Sequence, residues 1–286
     1  MKEKLVLVGN GMAGVRTHEE LLEIAPDKYD ITEFGAEPFG NDNRLMLSPV
    51  LAGEKTVDDI MLNDEQWYSD NGIALHKGKT VTKIDRVKKQ VVADDGTTTD
   101  YDRLLLATGS NPFMIPVPGK DKDGVIAFRD IHDVGTMLQA SQDYTKAVVI
   151  GGGLLGLEAA NGLIKQGMDV TVVHLLDSLM ERQLDKPASA LLKASLEERG
   201  MTFLMEAATQ EIIGNGRVPG VRVKDGSEVE ADLVVMGVGI VPNPELASAS
   251  GLHCERGIVV NDVMQTFDPA IYAVGECAQH RGIAYG

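Results

Sequence analysis

Only two cysteines, Cys254 and Cys277, occur in the 286 residues, far apart and in no C-x-x-C spacing. Their scarcity excludes the usual dithiol redox motif and any cysteine-ligated zinc or iron–sulfur site in this chain, since such sites need more thiolates. The two read as reduced, structural thiols. Six histidines are dispersed without an H-E-x-x-H or similar spacing, so no metal site is supported. Basic side chains are also short in supply: 27 Lys and Arg stand against 43 Asp and Glu, a formal charge of −16. That balance lacks the basic face which nucleic acid or an anionic membrane surface requires. No apolar run approaches the ~18 residues of a membrane span. Met1 to Lys4 leads straight into a strand without a signal peptide, so a cytoplasmic protein is expected. Aromatics are few, at 5%, whereas the 31 glycines suit close-packed α/β domains.

What the chain does have is a glycine pattern met twice. In Ala147 to Glu158 (AVVIGGGLLGLE), four apolar residues run into Gly151, Gly153 and Gly156 at the spacing G-x-G-x-x-G. This spells a strand, a tight turn and a helix start. The first glycine makes the turn, the second lets backbone N–H groups approach a pyrophosphate, and the third lets helix pack on strand. A helix Leu155 to Gln166 closing at Gly167 and a buried strand Asp169 to Leu175 complete the unit. Near the N-terminus the same plan appears as LVLV, then Gly9, Gly11 and Gly14, a helix, and the strand Tyr29 to Phe34. Two complete units imply two nucleotides on one protein, and transfer of hydride or electrons between them is the simplest reason.

The intervening segments repeat as well. Ile73 to Leu106 reads as an antiparallel excursion turning at Asp95-Gly96 and returning through Arg103 to Ala107, with Thr108 and Gly109 at the carboxyl edge of the sheet. The second unit has its own excursion, turning at Asp225-Gly226, and ends at Gly237-Val238-Gly239. Ile271 to Val274, followed by Gly275-Glu276, reads as a last strand returning to the first sheet. The fold class is therefore α/β: two Rossmann-like, three-layer dinucleotide-binding domains, the second inserted into the first. The expected boundaries are 1–113 plus 243–286 for the first domain and 114–242 for the second.

Two acids end the second strand, Glu33 and Glu37, and Glu37 is favoured for a ribose hydroxyl. Glu33 is odd, because a carboxylate in a parallel strand covered on both faces is costly. It is either a ligand group or a destabilising residue, and apolar replacement of a buried, unpaired Glu33 would raise the melting temperature. Arg44 and Ser48 lie one turn apart and could face one ligand.

On these residues the chain resembles the two-dinucleotide flavoprotein family of pyridine nucleotide-dependent oxidoreductases. Through LMERQLD and GECA it is most similar to the diaphorase part of assimilatory NAD(P)H-dependent nitrite reductase large subunits. The resemblance implies FAD in the first domain and NADH or NADPH in the second, with electrons passing on to a downstream redox domain or protein. Iron–sulfur and sirohaem centres would belong only to a longer relative. It implies that Gly9, Gly11 and Gly14 hold the FAD pyrophosphate, with Glu37 at its ribose and Val81 touching adenine through its backbone. Arg44, Ser48, Thr108 and Gly109 would lie near the flavin, and Glu276 near its ribityl or phosphate region. Gly151, Gly153, Gly156 and Gly239 would serve the nicotinamide dinucleotide, with Glu158 beside the nicotinamide. Three residues depart from the family pattern: Glu33, Asp42 and Pro49. The family's next helix, aimed at the flavin, and its interface domain fall beyond Gly286, so weak FAD retention is expected.

The leading expectation is a reductase module carrying hydride from NAD(P)H to FAD and electrons to a nitrite-reducing centre. The alternatives are a reductase of a separate rubredoxin- or ferredoxin-like carrier and a catalytically silent nucleotide-binding fragment. His174 stands where an NADH-binding unit usually has an acid. Without that acid a 2′-phosphate is not repelled, and a protonated His174, aided by Arg182, would attract one. NADPH is therefore expected to serve at least as well as NADH.

Overall fold

The computed structural model describes residues 2–284. Its two compact units are interleaved in sequence. The first holds the chain up to Asn43, Met61–Asn111 and the chain from Val241, and the second holds Arg44–Ile60 and Pro112–Ile240.

In the first unit, five parallel strands form a sheet in the order Ile271–Ala273, Arg103–Leu106, Glu3–Val8, Tyr29–Gly35, Ala74–Lys77. In the second, the order is Val125–Ala127, Leu233–Met236, Lys146–Ile150, Asp169–Val173, Thr202–Leu204, again all parallel. The central strands are apolar because both faces are covered: Leu5 to Val8 and Ala147 to Ile150 are all buried. Each unit also carries a three-stranded antiparallel excursion, Val81–Asp85/Gln90–Ala93/Thr98–Asp100 in one and Thr209–Ile212/Gly220–Val223/Glu228–Glu230 in the other. The tight turns fall at Gly96 and Gly226, whose φ values are +86° and +91°. One edge differs between the two sheets. The strand beside the returning strand comes last in the first unit and first in the second, as an insertion into a continuous plan requires.

The segment Arg44–Ile60, expected with the first domain, belongs to the second unit. Its helix Leu47–Leu51 is too short and apolar to stand alone, and it meets the helix Leu154–Lys165 where that helix is small-sided. A Cβ on Gly162 would lie 2.6 Å from Leu51 Cγ, and Gln166 Nε2 donates to the Leu51 carbonyl at 2.8 Å. Lys165 and Glu54 add an ion pair at the rim.

Glu33 is neither exposed nor alone. It faces His18 of the helix Met12–Ile24, with His18 Nδ1 3.2 Å from Glu33 Oε2 and both side chains 0% exposed. The approach is that of an ion pair but the angles are not those of a hydrogen bond, and the remaining nitrogen and oxygen meet no partner among the described residues. The expectation of a lone buried carboxylate is thus corrected: the strand tolerates Glu33 because the facing helix supplies a base.

Candidate dinucleotide sites

Each glycine loop is built the same way. Gly9 and Gly151 have φ of +114° and +116°, and a Cβ on either would clash with the carbonyl oxygen at the end of the neighbouring strand, Ala107 or Gly237. The turns are pinned by equivalent backbone bonds, Gly9 N–H to Phe34 O at 2.8 Å and Gly151 N–H to Val173 O at 2.9 Å. Gly14 and Gly156 lie against the first glycine's carbonyl, the close packing of helix on strand. A Cβ on Gly11 or Gly153, by contrast, would meet nothing within 4 Å, so both loops present an open face at their second glycine.

That open face leads to uncapped helix ends. Gly11 and Gly153 are the N-cap residues of Met12–Ile24 and Leu154–Lys165, with no side-chain cap and no acid in the first turn. The helices Glu65–Asp70, Ile131–Asp143 and Lys186–Glu198 are capped by Asp64, Asp130 and Asp185. Among the described helices longer than five residues, Met12–Ile24 and Leu154–Lys165 therefore keep their backbone N–H groups and positive dipole ends available, the arrangement that binds phosphate. The fit to two pyrophosphates rests on this chain's own backbone.

Around the first loop, Thr108 Oγ1 donates to the Asn243 carbonyl at 2.7 Å, and Asn243 N–H donates to Gly109 O at 3.0 Å. Ser110 Oγ donates to Glu276 Oε2 at 2.8 Å. The Cys277 thiol beneath this turn is pushed up from its ordinary value by burial. Glu37 follows the strand Tyr29–Gly35 and its carbonyl accepts Gly78 N–H at 2.9 Å. Val81 is buried at the head of the excursion. Sequence reasoning missed Tyr68, whose hydroxyl donates to Asn10 Oδ1 at 2.8 Å and so holds the residue between Gly9 and Gly11. Burial raises the Tyr68 phenol well above its usual value, and the Glu33 carboxylate adds to the shift. The signal was available: Asn10 lies inside the motif, and Tyr68 is an aromatic with a polar tip.

In the second unit, Ser48 and Glu158 come together, with Ser48 Oγ donating to Glu158 Oε2 at 2.7 Å. Arg44 Nη1 donates to the Arg129 carbonyl at 3.1 Å. Gly239 has φ of +106°, and its carbonyl accepts Phe113 N–H at 2.9 Å. Arg182 is exposed. His174 is buried with both ring nitrogens engaged, Nδ1 at 3.0 Å from Gly152 N and Nε2 at 2.9 Å from Ser178 O. Neither nitrogen is turned to solvent, which corrects the expectation of a histidine offering a proton to a 2′-phosphate. Among the described residues no group of three or more His, Cys, Asp or Glu is placed to hold a metal ion, and no helix is long and apolar enough to cross a membrane.

A doubled α/β plan with two open, uncapped glycine loops defines a protein of the two-dinucleotide oxidoreductase class. The chain belongs to the pyridine nucleotide-disulphide oxidoreductase family, which matches residues 3–285. It is 60% identical to nitrite reductase [NAD(P)H] of Bacillus subtilis over 100% of this chain and 35% of that protein. It is 50% identical to the assimilatory nitrate reductase electron transfer subunit of the same organism, over 100% of this chain and 37% of that one. Among solved structures, a ferredoxin reductase from Rhodopseudomonas palustris superposes with a TM-score of 0.91 at 30% identity, over 98% of this chain and 69% of that chain. The chain thus spans little more than a third of the nitrite and nitrate reductase relatives it matches, 35% and 37%.

Proposed function

We propose that the chain is a flavoprotein reductase module that passes a hydride from NAD(P)H to FAD and electrons onward to a nitrite-reducing centre. The observation that carries this reading is the pair of equivalent glycine loops, each opening on an uncapped helix N-terminus. The first domain, 1–113 plus 243–286 by sequence but without Arg44–Ile60, is assigned FAD, and 114–242 together with that segment is assigned NAD(P)H. Bound FAD would supply the conversion of a two-electron hydride into single-electron steps. The chain's own groups bind and orient. Gly9, Gly11 and Gly14 form one pyrophosphate cradle and Gly151, Gly153 and Gly156 the other. Glu37 is assigned to the ribose of FAD, Val81 to adenine, and Thr108, Gly109 and Glu276 to the flavin's ribityl side, where Ser110 fixes the Glu276 carboxylate. Glu158, fixed by Ser48, is assigned to the nicotinamide end. No side-chain nucleophile is needed, because positioning is the protein's contribution.

The nitrite-reducing centre is assigned to a downstream domain or protein on the strength of the relative that is 60% identical. A second reading, transfer to a separate ferredoxin-like carrier, is favoured by the likeness to the ferredoxin reductase. The test is anaerobic addition of NADPH or NADH to the FAD-loaded chain. Bleaching of the visible flavin bands, then recovery on adding a nitrite-reducing partner but not a ferredoxin, is the expected result. A chain that binds FAD yet shows no bleaching with either nucleotide overturns the proposal.

A further inference from the structure

The second glycine loop is held by a histidine ring. His174 follows the strand Asp169–Val173 and is 7% exposed. Its Nε2 lies 2.9 Å from the Ser178 carbonyl oxygen, which can only accept, so Nε2 carries the hydrogen. Its Nδ1 then carries the lone pair and accepts Gly152 N–H at 3.0 Å, so the hydrogen bonds select the neutral ring in its Nε2–H form. A third bond closes the circuit: Met180 N–H donates to the Gly152 carbonyl at 3.0 Å. Met180 reaches that position in the left-handed region, at φ +54°, a conformation costly for a residue with a side chain. Between them Leu179 is fully buried, and a Cβ on Gly152 would lie 2.6 Å from Leu179 Cδ2 and 2.8 Å from His174 Cγ. The peptide between Gly151 and Gly153 is therefore fixed at both its N–H and its C=O, with no slack around it.

We propose that His174 is a pH-responsive positioning residue: neutral, it fixes the second glycine loop, and protonated, it releases the loop and weakens nicotinamide-dinucleotide binding. This rests on the reading of Gly151, Gly153 and Gly156 as the pyrophosphate cradle. A proton added at Nδ1 sets N–H against N–H across the 3.0 Å contact with Gly152. Either the ring turns or Gly152 moves, and the next residue is Gly153, the N-cap whose following N–H groups face the phosphates. The Glu181 carboxylate lies 3.6 Å from Nε2. On the other elements packed here, Glu206 precedes Ala207, whose N–H donates to the His174 carbonyl at 2.8 Å, and Asp177 pairs with Lys186. Simple attraction between a histidine cation and a phosphate predicts the opposite sign.

NADH is the probe, because it lacks the titrating 2′-phosphate of NADPH. Its affinity for the full chain is measured by fluorescence at about pH 8 and about pH 6. Wild type is expected to weaken several-fold on acidification to about pH 6. In His174→Asn the amide oxygen replaces Nδ1 as a non-titrating acceptor, and binding is expected to stay strong and flat with pH. His174→Leu is expected to bind weakly at both values, with its sheet amides still protected from hydrogen exchange. A His174→Asn profile that tracks wild type overturns the proposal. Wild type that binds no NADH even at about pH 8 overturns the cradle reading and the proposal with it.

Discussion

Replacing Glu33 by isoleucine tests whether the buried His18–Glu33 pair stabilises the first unit or merely survives in it. Both side chains are 0% exposed, and the pair sits between the helix Met12–Ile24 and the strand Tyr29–Gly35. Removing one partner strands the other, which costs about 3–5 kcal/mol for a buried ion pair. Burying an isoleucine side chain returns about 1.5–3 kcal/mol of apolar transfer. The single substitution should therefore destabilise by about 1–3 kcal/mol, even though it swaps a charged residue for an apolar one in a covered strand. His18→Leu should behave alike. The double variant removes both desolvated groups together with their four atoms that lack a hydrogen-bond partner, and should be neutral or more stable than wild type by about 1–4 kcal/mol. Urea unfolding of wild type, both singles and the double gives a coupling energy, expected to be at least about 2 kcal/mol. An additive cycle, or a Glu33→Ile protein more stable than wild type, would refute the pairing argument.

Other outcomes separate binding from stability. Gly153→Ala should leave stability unchanged or raise it by about 0.4–1 kcal/mol, since its Cβ meets nothing, while NADPH binding measured by calorimetry should fall sharply; Gly156→Ala should lose both, because its Cβ clashes with the Gly151 carbonyl. Ser48→Ala removes the donor to Glu158 and should lower the rate of flavin bleaching by NADPH in stopped flow, with a change in melting stability of no more than about 1 kcal/mol. Burial pushes Tyr101 up to about 12 and raises Tyr68 as well. Their folded values lie above the unfolded value of about 10, so the stability linked to them is present below pH ~10 and is lost as pH rises beyond it. Tyr68→Phe plus Tyr101→Phe should flatten that alkaline decline in thermal melts. Initial rates of ferricyanide reduction at neutral pH should be at least as high with NADPH as with NADH, since no acid ends the strand Asp169–Val173.

Which features could be read from sequence follows from how locally each is determined. The glycine spacing fixes turn, cradle and helix start within a few residues, so both loops and the repeated plan were legible down to Gly9, Gly14, Gly151 and Gly156. The allegiance of Arg44–Ile60 was not, because it depends on Gly162 leaving room for Leu51, a contact between residues far apart in sequence that no local pattern encodes. Between these extremes lies Glu33. Its burial followed from strand logic, but its partner sits on a helix, where Gly14, Val15 and His18 are the buried residues at helical spacing. A buried base on the helix that crosses a strand with a buried acid is a readable pair once both periodicities are laid side by side. His174 failed for a different reason. The missing acid was visible, but the ring's direction is set by Ser178 and Met180, in a loop whose return depends on a left-handed residue that is not glycine. Sequence rules place glycine in such positions, and where a methionine takes one instead, only tertiary bonds such as the one to Gly152 can hold it there.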